Sequence, residues 1–131
     1  MSPLSDAYEE TVLDHILGTT ELTFDATVWL ALGTDAAPDK ATFTEIATDR
    51  GYARKSIAFS SAVGGVATCS SSASFGPCSG TAWGTLKSFA IYDTSAAGTR
   101  VIQGSLTDQT KVVGIGDSAT VAAGAITVTA T

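Results

Sequence analysis

The stretch TAWGTLKSFAIYD, residues 81–93, decides how the fold is predicted. It collects several of the chain's few large apolar side chains, namely Trp83, Phe89, Ile91 and Tyr92. If the segment is one strand, the first three share one face, whereas Tyr92 shares the other face with Leu86. Apolar side chains on both faces are typical of a strand in the middle of a sheet or under a partner subunit. The stretch therefore predicts a central or interface strand.

Segments on both sides of this stretch alternate between two sets of residues. In TVWLALG, residues 27–33, Val28, Leu30 and Leu32 alternate with Trp29 and its neighbours. The same period recurs in YARKSIAFS and VATCSSSASF, and shorter strands are predicted in VIQGSL, ATVA and AITVTA. Turn residues recur about every 8 to 12 positions, so we predict a mainly β fold, an antiparallel β-sandwich or barrel of about seven to nine short strands. Trp29 joins the candidates for the core or an interface.

One N-terminal α-helix is predicted ahead of the strands. Apolar residues recur at helical spacing at Leu4, Tyr8, Val12, Leu13, Ile16 and Leu17. Gly18 suits a left-handed cap, so the helix is predicted from Pro3 to Leu17. We expect a helical unit, residues 1–18, packed on or extending from a single β domain, residues 19–131. The segment at residues 40–51 stays open between a short helical turn and an irregular loop.

The composition excludes several classes of protein. With 131 residues the chain is one domain, and 44% hydrophobic against 15% charged residues argues against disorder. A net charge of −6 without a basic cluster makes nucleic acid a poor partner. No apolar run approaches the roughly 20 residues of a membrane-spanning helix, and the acidic start MSPLSDAYEE is unlike a secretory signal. We therefore expect a soluble protein made in the cytoplasm, with no membrane partner.

Cys69 and Cys78, in CSSSASFGPC, leave two interpretations open. They can close a disulfide across a hairpin, but spacing alone does not show that the two sulfur atoms meet. They can equally be small apolar thiols in a reducing cytoplasm, where disulfides are rare. Two cysteines and one distant histidine leave a tetrahedral zinc ion short of ligands, so no metal site is expected.

No motif in the sequence predicts an active site. His15, the only histidine, lies on the predicted helix without a nucleophile beside it, and Glu9 and Glu10 diverge by about 100° on a helix. The GIGD segment, residues 114–117, lacks the Lys-Ser/Thr and the helix of a phosphate-binding loop, so we predict a hairpin turn. The serines at residues 70–72 lack a nucleophile elbow. We predict no enzymatic activity and no cofactor.

A series of segments runs through most of the chain in the order LDHILGTT, ATVWLALGT, GYARKSIAF, SASF, AWGTLKSFAIYD, IQGSLT and GDSATVAAGAITVTAT. Together they resemble a family of small virion proteins of tailed bacteriophages, of the tail-fibre-like or minor structural type. The pattern WGT-x3-F-x-I-x-D, from Trp83 to Asp93, is the most specific marker. The two cysteines and the segment at residues 35–50 depart from the family pattern.

The resemblance implies a non-enzymatic component of the phage particle, located in the virion. The first expectation is a capsid-surface cement or decoration protein, and the alternative is a tail or tail-fibre accessory protein. The partners implied are the major capsid or tail proteins and further copies of the chain, because edges and apolar patches then serve as contact surfaces. A third hypothesis, a carbohydrate-binding β-sandwich module, rests on Trp29, Trp83 or Tyr92 as a stacking platform.

Overall fold

The computed structural model describes residues 4–21, 27–39 and 41–129. Within these ranges the chain forms helix α1, Asp6–Ile16, a 3-10 turn, Thr48–Arg50, and short strands. The strands are β1 Val28–Gly33, β2 Lys55–Ile57, β3 Val66–Thr68, β4 Ala73–Phe75, β5 Gly84–Thr85, β6 Ser88–Tyr92, β7 Arg100–Ser105, β8 Val112–Val113, β9 Ala119–Val121 and β10 Thr127–Thr129. The predicted class, mainly β with one N-terminal helix, is confirmed.

The strands pair antiparallel in one larger sheet and three small ones. The larger sheet has the order β2-β1-β6-β7. The small sheets pair β3 with β10, β4 with β9 and β5 with β8. Over the described residues these antiparallel sheets do not close into a barrel, so the barrel form of the prediction is not the one observed. β9 pairs with β4 and β10 pairs with β3, so the last two strands complete the core together with strands from the middle of the chain.

Strands β1 and β6 form the centre of the larger sheet. Leu30 lies opposite Ile91, and Leu32 lies opposite Phe89. All four side chains are buried and face one core. Other members of this core come from the small sheets and the connections, including Ile46, Tyr52, Ile57, Cys69, Phe75, Trp83, Leu86, Val113 and Ile126. A single core therefore lies between the larger sheet and the small sheets.

The segment TAWGTLKSFAIYD forms two strands rather than one. β5 belongs to the small sheet with β8, whereas β6 belongs to the larger sheet. Gly84 has a φ of +85°, a conformation that favours glycine and changes the direction of the chain. After this change, Leu86 joins Trp83 and Phe89 in the same core. The prediction that Leu86 shares a face with Tyr92 is therefore wrong.

The opposite face of β1 and β6 is covered by the connection between β1 and β2. Phe43 lies over Gly33, because a Cβ added to Gly33 would approach Phe43 Cε2 to 2.6 Å. The ring centroid of Phe43 is also 6.5 Å from that of Tyr92. Ala31 and Ala90, on the same face, are fully buried. The chain itself therefore covers both faces of β6, and part of that cover is the segment whose structure the sequence left open.

Helix α1 begins later than predicted because the residues before it pair with β7. Leu4 forms an antiparallel bridge with Ile102. Ser5 is extended, with φ −71° and ψ 157°, and its N–H donates to the carbonyl of Val101 at 2.8 Å. These residues extend the sheet edge instead of the helix. The predicted start, Pro3, lies outside the described residues.

The end of α1 is capped as predicted. Gly18 has a φ of +76°. Its N–H donates to the carbonyl of His15 at 3.1 Å, and the N–H of Thr19 donates to the carbonyl of Asp14 at 2.9 Å. This pair of hydrogen bonds is a Schellman motif, in which Leu17 is the C-cap and glycine supplies the left-handed residue.

Replacing Trp83 with alanine should lower the free energy of unfolding by about 3–5 kcal/mol. Trp83 is 2% exposed, its Nε1 donates to the carbonyl of Arg50 at 2.7 Å, and its ring meets Tyr52 edge-on. The variant therefore leaves a cavity and removes one of the two hydrogen bonds that the Arg50 carbonyl accepts, the other coming from the N–H of Ser79. Urea unfolding followed by circular dichroism measures the loss. Val63→Ala, at a side chain 79% exposed, is the control and should change stability by less than about 0.5 kcal/mol.

Candidate functional site

A buried ion pair joins three segments of the chain. The side chains of Arg54 and Glu45 are 8% and 21% exposed, respectively. Arg54 Nε donates to Glu45 Oε1 at 2.9 Å and Nη2 donates to Oε2 at 2.8 Å, which is a bidentate pair. Arg54 Nη1 donates to the carbonyls of Thr94 and Ala97 at 3.1 and 2.6 Å. The guanidinium carbon also lies 3.4 Å from the ring centroid of Tyr92, in a cation–π contact.

Tyr52 extends this cluster into the core. Its hydroxyl donates to Glu45 Oε1 at 2.8 Å and accepts from the N–H of Leu32 at 3.0 Å. Burial and the nearby Glu45 carboxylate raise the pKa of Tyr52 well above its usual range, and the same two causes raise the pKa of Tyr92. Burial alone lowers the pKa of Arg54, but the hydrogen bond and charge of Glu45 outweigh it, so that this pKa is raised.

The cluster is suited to holding the chain together rather than to binding a ligand. A cavity of about 440 Å³ lies beside it, lined in part by Glu45, Tyr52, Arg54 and Ala97. Among the residues that line this cavity the only cation is Arg54, and all three of its nitrogens already donate hydrogen bonds. The guanidinium fork is therefore not available to an anionic ligand. What the arrangement does is fix the loop at residues 93–99 to the sheet.

Of the three aromatic residues proposed as carbohydrate platforms, only two lie next to each other. Trp83 lies in the core, at 2% exposed, with Phe89 and Ile91. Trp29 and Tyr92 are half-buried and lie opposite each other in the β1–β6 pair. Trp83 is therefore not available as a stacking platform, and the Tyr92 ring is covered on one side by a guanidinium.

Cys69 and Cys78 are both buried free thiols. Cys69 Sγ donates to the carbonyl of Ala122 at 3.6 Å and accepts from the N–H of Ile126 at 3.3 Å. Cys78 Sγ donates to the carbonyl of Thr81 at 3.2 Å. Each thiol has its own backbone partners, so the structure corresponds to the reduced form of the two interpretations.

The other residues considered for catalysis lie far apart in the chain and have structural surroundings. His15 is exposed on α1. GIGD is a turn, in which the N–H of Gly114 donates to Asp117 Oδ2 at 3.0 Å. It is not the hairpin that was predicted, because β8 and β9 pair with β5 and β4 rather than with each other. Ser71 Oγ accepts from the N–H of Ala58, and the described residues contain no cluster suited to a metal ion.

Part of α1 presents an apolar surface to solvent. Tyr8 is buried at 8% exposed, but Leu13, Ile16 and Leu17 are 56%, 70% and 67% exposed. Ile16 and Leu17 follow Leu13 by three and four residues, so both neighbour it on the same side of the helix end. The three residues are called the helix-end stripe below. Helical periodicity detected the stripe, but only the docking of α1 at β7 shows that this part of it stays uncovered.

An apolar crevice opens where the larger sheet meets the β3–β10 pair. It has a volume of about 170 Å³, and its walls include Val28, Phe59, Ala67, Ile102 and Val128. All five of these side chains are half-buried, so the crevice reaches the surface. The sequence carried no signal for it, since its walls come from segments that are distant along the chain.

Residues 3–129 match the family described as podophage GP4 fiber I protein gp80. The chain belongs to this family. No curated protein matches it. The chain is therefore a structural protein of a tailed bacteriophage and a component of the virion, which confirms the resemblance found in the sequence. In the described ranges of this fibre-family protein, no helix is both long enough and apolar enough to cross a membrane.

Replacing Glu45 with glutamine should destabilise this fibre-family protein by about 3 kcal/mol, because Arg54 would stay buried without a counter-charge. Asp49→Asn is the matched control. Asp49 is 85% exposed and lies 3.9 Å from Arg50 Nε, so its loss should cost less than about 1 kcal/mol. Chemical denaturation of the two variants measures both values. Equal losses would contradict the assignment of the buried pair as a stabilising contact.

Stability should also fall at alkaline pH. The raised pKa values of Tyr52 and Tyr92 mean that the folded chain keeps phenol protons that the unfolded chain releases. This contribution is complete below about pH 10 and declines as the pH rises further, by at most about 1.4 kcal/mol per pH unit for each tyrosine. Urea titrations on both sides of that pH measure the decline. Tyr52→Phe should make it shallower, and an unchanged slope would count against the linkage.

Proposed function

We propose that the protein is a non-enzymatic component of the tail fibre, or an accessory of the tail, of a podophage. The observation that carries this proposal is the match of residues 3–129 to a family described as a fibre protein. The match supports the alternative expectation from the sequence over the first one, a capsid-surface cement protein. It covers nearly the whole chain, so the proposed role belongs to the complete β fold rather than to one short motif.

The interior of the molecule suits a structural role. The buried polar cluster of Arg54, Glu45 and Tyr52 has its hydrogen bonds directed at other parts of the same chain. Both cysteine thiols hydrogen-bond to backbone atoms, and the histidine is exposed on α1. A catalytic nucleophile needs an available base within hydrogen-bond reach. Among these contacts the one such pair is the Tyr52 hydroxyl with Glu45, and that carboxylate already accepts two hydrogen bonds from Arg54. The absence of enzymatic activity is accordingly part of the proposal.

The proposed partners are other proteins of the particle, including tail proteins, and further copies of the same chain. The helix-end stripe and the apolar crevice are surfaces that such contacts could cover. A net charge of −6 disfavours the phosphate backbone of nucleic acid. We therefore propose protein partners, with neither nucleic acid nor a membrane among them.

Locating the protein in intact particles tests the proposal. A small epitope fused to the chain, detected with gold-labelled antibody by electron microscopy, should give label confined to the tail. An epitope on the major capsid protein of the same phage controls for access of the antibody to the head. Label distributed over the head at its symmetry axes would support the capsid-cement role instead and would overturn the tail-fibre role.

A further inference from the structure

One end of the larger sheet carries a row of side chains on the face turned away from the core. The register places Ser56 of β2 opposite Trp29 of β1, and Trp29 opposite Tyr92 of β6. Residues directly opposite each other in antiparallel strands share a face, and neighbouring strands lie about 4.8 Å apart. Ser56, Trp29 and Tyr92 are called the aromatic row below. The row crosses three of the four strands of the sheet.

The cover of this face ends at the aromatic row. Along β1 the residues from Leu30 to Gly33 are buried, whereas Trp29 just before them is half-buried. Along β6 the residues from Ser88 to Ile91 are buried, and Tyr92 just after them is half-buried. Burial therefore falls at the same end of both strands, so that two large aromatic side chains stay partly in water.

The two tryptophans differ in how their indole N–H groups are paired. The N–H of Trp83 donates to the carbonyl of Arg50 at 2.7 Å. Across the part of the chain that the structure describes, the N–H of Trp29 and the hydroxyl of Tyr92 have no hydrogen-bond partner. A buried tryptophan or tyrosine usually finds such a partner, and a half-exposed one can offer its polar group to a ligand. The aromatic row therefore combines apolar rings with free polar groups.

A cavity of about 540 Å³ lies at the Ser56 end of the aromatic row. Its volume falls in the range of small-molecule sites. Three of the residues that line it carry hydroxyl groups, and three carry larger apolar side chains: Thr27, Ser56 and Ser71, and Val28, Ile57 and Phe59. None of its described lining residues is charged. The cavity thus continues the row with the same combination of hydroxyl and apolar groups.

The cations near the aromatic row are directed at other parts of the chain. Arg54 forms the bidentate pair with Glu45. The guanidinium carbon of Arg100, on β7, lies 5.9 Å from the ring centroid of Phe43. Lys55 alternates with its neighbours along β2 and so belongs to the opposite face of the strand. These positions favour a neutral ligand over a phosphate or a carboxylate.

We propose that the aromatic row and the adjoining cavity bind a neutral oligosaccharide. Trp29 is the stacking platform, because an aromatic ring packs against the C–H face of a pyranose unit while its N–H bonds a sugar hydroxyl. Arg54 covers one side of the Tyr92 ring, so Tyr92 contributes its edge and its free hydroxyl. The hydroxyls of Ser56 and Thr27 bind the next sugar unit in the cavity. This binding site goes beyond the fibre role and does not depend on it.

The hydroxyl groups favour a sugar over a proline-rich peptide, which also stacks on aromatic side chains in grooves. Such a peptide presents carbonyl oxygens and lacks the N–H donor at each proline. A sugar hydroxyl both donates and accepts, as do the side chains of Thr27, Ser56 and Ser71. Groups about 5 Å apart along the row also match successive units of an extended ligand better than one compact molecule.

Binding of defined oligosaccharides to the purified full chain tests the proposal. An array of neutral and acidic oligosaccharides identifies the ligands, and isothermal titration calorimetry measures their dissociation constants. Neutral oligosaccharides should bind, and added salt should leave their affinity unchanged, because the contact does not rest on charge. Decaproline, titrated in the same way, is the comparison peptide and should not bind.

Variants of Trp29 separate the platform from the fold. Trp29→Ala should weaken binding by about 10-fold or more, because aromatic anchors dominate such contacts. Trp29→Phe keeps a ring but loses the indole N–H, so its affinity should lie between those of the wild type and Trp29→Ala. Circular dichroism and melting temperature check that both variants are folded. Val63→Ala, at a side chain 79% exposed outside the row and the cavity, is the control and should bind like the wild type.

Tryptophan fluorescence shows where the ligand lies. Acrylamide should quench the half-buried Trp29 and have little effect on Trp83, which is 2% exposed. A saturating oligosaccharide should therefore protect the wild type from quenching. In Trp29→Phe only Trp83 remains, so the same ligand should change the quenching little.

Four outcomes would overturn the proposal. No binding of any neutral oligosaccharide would remove it, and binding that is restricted to acidic glycans and lost with salt would replace stacking with surface charge. Unchanged affinity in both Trp29 variants would place the site elsewhere. Binding of decaproline instead of sugars would assign the aromatic row to protein contacts. None of these outcomes changes where antibody label appears on the particle, so the fibre role and the sugar site fail or stand separately.

Discussion

Strand β6 lies between β1 and β7, and its residues Ser88–Ile91 are buried on both faces of the sheet. A strand in this position needs two separate layers of cover, because each face would otherwise expose apolar area to water. The core beneath it is supplied by the small sheets, which the return of β9 and β10 completes. The layer above it is supplied by the connection between β1 and β2, where Phe43 lies over Gly33. The remaining features of the fold follow from how these two layers are attached.

The ion pair of Arg54 and Glu45 attaches the second layer. A buried pair of charges carries a desolvation cost, and it is retained here with a full set of hydrogen bonds and a cation–π contact. Its partners come from the connection before β2 and from the loop after β6, so it joins segments that no strand pairing joins. Tyr52 links the same cluster to the backbone of Leu32 in the central sheet. The polar interior thus serves the architecture, in agreement with a structural protein of the virion.

The outer surface is where a fibre-family protein would meet its neighbours. A rigid interior allows apolar side chains to be displayed at defined positions, as at the end of α1, where the Schellman cap stops the helix and leaves the stripe in solvent. The bridge of Leu4 to β7 decides this exposure, because it fixes where the helix begins and which of its sides meets the sheet. Adding chain to the edge of β7 also covers hydrogen-bonding groups that would otherwise promote uncontrolled association.

Periods of two and of about 3.6 residues are local properties, so the sequence alone determined the β class, the single N-terminal helix, its Gly18 cap and the burial of Phe89 and Ile91. The segments around AWGTLKSFAIYD also carried the phage-virion resemblance. Contacts between distant residues are not periodic, and only the tertiary structure decided them. The change of direction at Gly84 places Leu86 in the core. Pairing with β7 holds Ser5 in an extended conformation instead of a helical one. Phe43 covers the second face of the larger sheet. The Arg54 cluster and the apolar crevice likewise join segments far apart in the chain, where no local pattern records which side chains meet.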